Sequence, residues 1–168
     1  MTVHIRELVE TDIPAVLDVA RAAFVPVFAS LQRVLTADLY RLLDEDPRST
    51  QLAAIEELCR DESETSRVFV AEVSADAEDE ASVVGFVAYK LDKATKRGEI
   101  WFLAVHPDYQ NRDTGTQLNL YALDQMREAG MTVAVVETGG DPSHAPARRA
   151  YEKSGFTPLP IVRYFQAL

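Results

Sequence analysis

Three β-rich runs follow one another along the chain, and this order most limits the folds open to it. They read SRVFVAEV, SVVGFVAYKLD and GEIWFLAVHPDY. Such runs predict an antiparallel meander, and the polar ADAEDEA between the first two predicts a hairpin with a long acidic tip. The third run is apolar on both faces, which is typical of a central strand, and it ends at Pro107.

Helical patterns precede the meander. HIRELV predicts a first strand, and Thr11-Asp12-Ile13-Pro14 gives a capping residue and an early proline at the start of a helix. A second, less regular helical stretch holds Leu39, Leu42 and Leu43, and an amphipathic helix follows Pro47. We expect Cys59, on that last helix, to be a small core residue.

Helix and strand alternate after the meander. TGTQLNLYALDQMREAGM predicts a helix capped by Gly130, TVAVVET a strand, APARRAYEKSGF a helix closing at Gly155, and PIVRYFQAL a last strand. Three consecutive strands exclude a doubly wound parallel sheet and indicate a mixed α/β fold. A chain of 168 residues fits one domain, which we expect to span residues 1–168.

The net charge of −10 is concentrated in one part of the chain. Between Asp44 and Glu80 there are 13 acidic residues against three arginines, and the remaining 14 acidic and 14 basic residues balance. This field disfavours nucleic acid and anionic membranes as partners. The acidic stretch is either a solvated surface or the rim of a site for a cationic substrate.

No feature of the sequence predicts a membrane span, a secretory signal or a metal site. The longest apolar runs are far shorter than the roughly 20 residues that cross a bilayer, and the first residues lack a basic and an apolar region. The one cysteine has no Cys or His partner at metal-ligand spacing. We therefore expect a cytoplasmic location.

The segment VHPDYQNRDTGTQL is the strongest candidate for a ligand site. It runs from a strand through a short polar loop with Gly115 into a helix. Loop amides and a helix N-terminus attract anions, so a phosphate-bearing ligand fits here. The Walker and Rossmann glycine patterns are both missing. On spacing alone, a plain connection between strand and helix remains an equal alternative.

Three ordered segments resemble the GNAT superfamily of N-acetyltransferases. QNRDTGT is similar to the family's acetyl-CoA pyrophosphate loop, GEIWFLAVHPDYQ to its fourth strand, and ARRAYEKSGF to its segment ending in Y-E-K-x-G-F. The resemblance covers residues 67–168 well. It implies the GNAT acyl-CoA N-acyltransferase fold, in which helices flank a central sheet of mixed antiparallel and parallel strands.

The resemblance also implies a reaction, namely acetyl transfer from acetyl-CoA to a primary amine by direct attack in a ternary complex. Glu99 matches the general base of some members, directly or through water, and is otherwise an ordinary strand carboxylate. Tyr151 matches the acid that protonates the leaving thiolate, and is otherwise a packing residue. The implied cofactor-binding residues are Leu103, Ala104, Val105, Gln110, Asn111, Arg112, Asp113, Thr114, Gly115, Thr116, His144, Ala147 and Tyr151.

Two positions depart from the family pattern. Asp113 stands where the loop usually carries its first glycine, so its carboxylate either lies near the pyrophosphate, offset by Arg112, or points to solvent. Asp tolerates left-handed backbone better than most residues. His144 stands where an Asn is frequent, and either binds the pantetheine arm, binds another part of the cleft, or caps the helix. Arg148 and Arg149 either add positive potential or are solvated.

The acceptor amine is not specified by these motifs. In the family, the region after the first strand lines the acceptor cleft, and the acidic residues there favour a cationic amine, a polyamine, an aminoglycoside or a peptide amine. Members often form homodimers. The alternative function is a non-catalytic GNAT-fold module that binds acyl-CoA or a protein partner, a reading that Asp113 favours and Tyr151 opposes.

Overall fold

One five-stranded sheet organises the molecule, of which the computed structural model describes residues 3–74 and 81–168. The strands are β1 (Val3–Glu7), β2 (Ser66–Val73), β3 (Ser82–Asp92), β4 (Arg97–Val105) and β5 (Val133–Val136). They lie side by side in chain order. The first four are antiparallel neighbours, and β5 is parallel to β4. The predicted meander and mixed sheet are confirmed.

In the described part of the chain, six α-helices flank the sheet. They are α1 (Ile13–Ala23), α2 (Val25–Val34), α3 (Ala37–Leu43), α4 (Pro47–Cys59), α5 (Thr114–Glu128) and α6 (Ala145–Lys153). Proline lies in the first turn of α1, α4 and α6, where its missing N–H removes no helical hydrogen bond. The chain leaves α5 and α6 through Gly130 and Gly155, both with positive φ, as their predicted capping roles require.

The two faces of the sheet bury separate apolar clusters. On one face α5 packs through Leu118, Ala122 and Met126 against β2, β3 and β4. On the other, α1 and α4 pack through Val16 and Ile55. Cys59 is half-buried against that second cluster, and burial raises the pKa of its thiol to about 11. The prediction that Cys59 packs in the core is confirmed, and its thiol is protonated at neutral pH.

One predicted strand is wrong. PIVRYFQAL has no regular secondary structure, and its large apolar side chains are exposed. The β-rich composition of this segment suggested a strand, but a strand also needs a neighbouring edge for its backbone groups. Pro158 and Pro160 at its start lack N–H donors and restrict the residues before them. The predicted acidic hairpin tip lies mostly in residues 75–80, outside the described residues.

The sheet opens between β4 and β5. Their parallel pairing covers Arg97–Ile100 against Val133–Val136, where β5 ends, while β4 continues to Val105. The register of β4 against β3 shifts by one residue here, since Tyr89 pairs with Ile100 and Ala88 with Phe102. Trp101 is the extra residue and is half exposed. We call the opening bounded by residues 101–105 of β4 and residues 137–144 the fork.

Within residues 3–74 and 81–168, no single helix is long and apolar enough to cross a membrane. The bent pair formed by Glu10–Ala23 and Val25–Val34 passes that test by length and composition together.

Candidate active site

The loop before α5 has the backbone shape of an anion site. Asn111 and Asp113 are both left-handed, with φ of 59° and 61°. The first helical hydrogen bond runs from Gln117 N to Asp113 O at 2.9 Å, so the amides of residues 114–116 have no acceptor within the helix. Unpaired amides and the helix dipole together attract an anion. Successive amides and a left-handed turn therefore meet where the phosphate site is predicted.

The carboxylate of Asp113 is held by a lysine from another element. Lys153 Nζ, at the end of α6, donates to Asp113 Oδ1 at 2.6 Å. Both side chains are more than half exposed. The carboxylate is exposed at the surface, where a cation from α6 offsets its charge. The pair also ties the C-terminal end of α6 to the loop.

Side chains of the loop anchor it to the end of β4. The amide of Gln110 donates from Nε2 to the carbonyl of Val105 at 2.9 Å. The guanidinium of Arg112 lies 5.7 Å from the ring centroid of Tyr109. A Cβ placed on Gly115 would make only ordinary contacts, at 3.7 Å, with Leu103 and Val105. Loop and strand end thus form one continuous surface along the fork.

The β4 edge of the fork carries unpaired backbone groups. Leu103, Ala104 and Val105 pair with β3 on one side and have no β5 partner on the other. In an antiparallel ladder, alternate amides point to opposite sides of the strand. Some of the backbone amides of residues 101–105 therefore face the fork, where they can donate hydrogen bonds to a ligand.

Tyr151 is buried in the last turn of α6. Only 8% of the residue is exposed, and its ring contacts Phe156 edge to face at 5.9 Å. Burial disfavours the phenolate and raises the pKa of Tyr151 to about 12. The hydroxyl is consequently protonated at any physiological pH, the state that a general acid needs.

Glu99 lies on β4 before the fork opens. It pairs with Lys90 of β3 and Val135 of β5 in the strand register. Its Oε2 is 3.5 Å from Nη2 of Arg97, and the side chain is over a third exposed. The ammonium of Lys90 in turn lies 4.8 Å from the ring centroid of Trp101. Glu99 is accessible to water but has a cation, Arg97, on its own strand and a second, Lys90, opposite it on β3.

His144 precedes α6 and contacts the acidic side chain of Asp141. His144 Nδ1 is 2.5 Å from Asp141 Oδ1, and Ser30 of α2 donates to Asp141 Oδ2 at 2.6 Å. Ser143 also donates to Asp141 Oδ2. Although burial raises the pKa of this carboxyl, the hydrogen bonds from Ser143, Ser30 and His144 hold it well below its usual range. His144 has no side-chain cap hydrogen bond to α6.

The rest of α6 connects these groups. Arg148 donates from Nη1 to the carbonyls of Gly139, at 2.5 Å, and of Asp141, at 2.9 Å. It therefore fixes the segment after β5, whereas Arg149 is exposed. Ala147 is half-buried within the first turn of the helix.

The predicted residues gather around the fork and along α6, and the structure adds three that the sequence patterns did not indicate. These residues are Lys153, Asp141 and Ser30, and each makes a contact between segments far apart in the chain. Lys153 and Asp113 are 40 residues apart, and Ser30 and Asp141 are 111 residues apart. The only local signal was the Asp-Pro pair before Ser143, which is typical of a helix start. Among the described residues, no group of three or more His, Cys, Asp or Glu side chains could hold a metal ion.

Comparison with known proteins decides the family. The family model described as "Acetyltransferase (GNAT) family" matches residues 33–156, close to three quarters of the chain. The chain belongs to the GNAT acetyltransferase family. The resemblance seen in the loop, the fourth strand and the Y-E-K-S-G-F segment is thereby confirmed.

Two curated relatives match about half of this GNAT chain. Both are named mycothiol acetyltransferase. The protein of Sanguibacter keddieii is 37% identical over 86 residues, 48% of this chain and 27% of its own length. That of Beutenbergia cavernae is 44% identical over 70 residues, 42% of this chain and 22% of its own length. The match thus spans about a quarter of the relatives' length.

Solved structures share the GNAT fold over nearly the whole chain. A PaiA N-acetyltransferase from Thermoplasma acidophilum, in complex with coenzyme A, superimposes with a TM-score of 0.68 at 19% identity, covering 94% of this chain and 91% of that one. The ribosomal-protein-S18-alanine N-acetyltransferase from Escherichia coli gives 0.62 at 19% identity, covering 95% and 80%. At these identities the likeness shows the fold.

Proposed function

We propose that this chain transfers the acetyl group of acetyl-CoA to a primary amine by direct attack in a ternary complex. The observation that carries the proposal is the fork itself, with unpaired β4 amides on one side and a left-handed loop and helix N-terminus at its end. Tyr151 is buried on α6, the helix whose Lys153 reaches that loop. Membership of the family supports acyl-CoA as the co-substrate.

The cofactor's phosphates and its thioester are assigned to different parts of the fork. The amides of Thr114, Gly115 and Thr116 receive the pyrophosphate, with Gln110, Asn111, Arg112 and Asp113 forming the loop around it. The pantetheine arm and thioester follow the open edge of β4 at residues 103–105. His144 and Ala147 line the opposite side, where the N-terminal end of α6 faces the fork.

The chemistry requires a base, an oxyanion donor and an acid. An alkyl ammonium has a pKa of about 10, so a proton must leave before the amine can attack. Glu99 is the strand carboxylate that can accept it through water. A β4 amide facing the fork stabilises the oxyanion, and the Tyr151 hydroxyl protonates the departing thiolate.

The acceptor is proposed to be cationic. Exposed carboxylates of the region between α3 and β2, among them Glu45, Glu57 and Glu62, add to an overall charge of −10. This field attracts amines that carry further positive charge and repels anionic acceptors. Because two relatives are named for mycothiol, a screening panel would set mycothiol-related amines beside polyamines, aminoglycosides and peptide amines. Efficient turnover of a polyanionic acceptor would contradict a cationic preference.

We further propose one domain over residues 1–168, a cytoplasmic location and a homodimer. Support for the dimer comes from the exposed apolar side chains at the end of the chain, of which Leu159, Ile161, Val162 and Tyr164 are each at least 70% exposed. Exposed apolar clusters of this kind mark contact surfaces. The one cysteine of the chain has no disulfide partner, which fits a reducing compartment.

Two measurements on the purified protein test the enzymatic proposal. Acetyl-CoA at 100 times its dissociation constant should stabilise the fold by about 2.7 kcal/mol, raising the melting temperature by roughly 5 to 10 °C. Tyr151→Phe should keep this shift and lose about 10- to 100-fold in kcat. The alternative, a non-catalytic acyl-CoA-binding or interaction module, is indicated by a normal shift with no turnover of any amine.

A further inference from the structure

A partly buried polar cluster joins α2 to the start of α6. It consists of Ser30 from α2, and Asp141, Ser143 and His144 from the segment after β5. Both serine hydroxyls donate to Asp141, and Ser143 Oγ also lies 3.3 Å from His144 Nδ1. The carboxylate is therefore the acceptor on which the whole cluster converges.

The cluster leaves one nitrogen of His144 uncommitted. Nδ1 faces Asp141 Oδ1 at 2.5 Å, a bond that fixes the proton on Nδ1 and leaves Nε2 with a lone pair. The side chains of His144 and Asp141 are 20% and 14% exposed, so the imidazole is largely enclosed yet open on one side. A carboxylate that orients an imidazole in this way makes its other nitrogen a positioned proton acceptor.

The neighbouring backbone is shaped to preserve this pair. A Cβ on Gly139 would lie 2.5 Å from both Asp141 Oδ1 and His144 Nδ1, which is too close for any real contact. Arg148 holds the carbonyls of Gly139 and Asp141 in place. By contrast, a Cβ on the adjacent Gly140 would meet nothing within 4 Å. Glycine is therefore needed at position 139 for the sake of the pair, and not at 140.

The pair directly precedes α6, the helix that carries Tyr151. His144 and Tyr151 are seven residues apart, so they share one helix face at a spacing of about 10 Å. The C-terminal end of α6 reaches the loop through Lys153, while its N-terminal end reaches α2 through Asp141. His144 thus lies at the end of α6 that is joined to α2, and Tyr151 lies near the end that is joined to the loop.

We propose that Nε2 of His144 removes the proton from the acceptor amine, and that Asp141 is its positioning residue. This inference rests on the proposed function and names a different base from Glu99. The charged groups that the described structure places around the imidazole are Asp141, on the same segment, and Arg148, on α6, whereas α2 contributes the uncharged Ser30.

The proton balance of the step is complete. His144 takes one proton from the ammonium, the freed lone pair forms the C–N bond, and the C–S bond breaks. The thiolate takes the proton of Tyr151, and the remaining excess proton on nitrogen returns to the tyrosinate. His144 then releases its proton to solvent, which regenerates the enzyme.

Steady-state kinetics of the full chain with an amine acceptor from the panel test this role. His144→Gln should lower kcat about 100-fold and flatten the acidic limb of the pH profile, a much larger effect than its effect on the acetyl-CoA melting shift. Asp141→Asn should lower kcat at least tenfold. Glu99→Gln compares the two candidate bases: a larger loss of kcat in Glu99→Gln than in His144→Gln would assign the proton transfer to Glu99 and overturn the proposal.

Gly139→Ala tests the geometry with both side chains retained. Gly139→Ala should lower kcat, as Asp141→Asn does. The matched Gly140→Ala should leave kcat within twofold of the wild type. A rise in KM for acetyl-CoA with unchanged kcat in His144→Gln would assign the imidazole to cofactor binding and overturn the proposal. An unchanged pH profile would overturn it as well. A wild-type protein that binds acetyl-CoA but acetylates no amine would instead contradict the proposed function itself.

Discussion

Much of the proposed chemistry depends on single side chains on or next to α6. One of them, Tyr151, also makes the stability of the fold depend on pH. Its pKa is raised from 10 to about 12 because the folded protein buries the phenol. Folding therefore favours the neutral phenol. The contribution of Tyr151 to the free energy of unfolding is complete below pH 10 and disappears as the pH rises through 12.

Urea unfolding of wild-type protein and Tyr151→Phe between pH 8 and pH 11 measures that contribution. At pH 11 the wild type should have lost about 1.4 kcal/mol more of its unfolding free energy than the variant has lost. Parallel pH dependence in the two proteins would mean that Tyr151 is solvated.

At the loop, we expect Asp113 and Lys153 to make opposite contributions to cofactor binding. Asn keeps the left-handed backbone accessible at position 113 and removes a negative charge beside the proposed pyrophosphate. Asp113→Asn should therefore lower the dissociation constant of acetyl-CoA by about 3- to 10-fold, since Lys153 is released as well. The paired variant Lys153→Gln should raise the dissociation constant of acetyl-CoA. Calorimetric titration gives both values, and equal constants in all three proteins would place the ion pair away from the ligand.

At the scale of elements, contact between α5 and β4 depends on Gly98. A Cβ there would lie 2.5 Å from Sδ of Met126, a side chain that is itself buried. Gly98→Val should destabilise the protein by about 1 to 3 kcal/mol through overpacking. Thermal or urea unfolding checks this, with Gly140→Ala as a nearly neutral control. A Gly98→Val protein as stable as wild type would show that α5 shifts freely on the sheet.

Local patterns in the sequence predicted the elements that bury a regular face. β2 and β3 coincide with the β-rich runs, and α4 with the apolar spacing after Pro47. The segment after Pro160 carries similar residues without forming a strand, because residue type reports β-propensity and not the presence of an open neighbouring edge. Asp141 was missed for a related reason, since its hydrogen bond to Ser30 joins segments that no local spacing connects.

For the whole molecule, the exposed apolar end of the chain predicts self-association. Light scattering at tens of micromolar should give a dimer for the wild type. Ile161→Lys combined with Tyr164→Lys should shift it toward monomer, because both side chains are at least 70% exposed in the isolated chain. Gln166→Lys adds the same kind of charge as a control. A monomeric wild-type protein would contradict the proposed homodimer.

Acetyl transfer by direct attack is the central claim for the molecule, and its most direct test follows the CoA thiol. Purified protein is mixed with acetyl-CoA in the presence and absence of a cationic amine, and thiol and acetylated amine are both quantified. The account predicts equal amounts of the two products with the amine, and no thiol release without it. Stoichiometric thiol release in the absence of acceptor, with acetyl left on the protein, would contradict it.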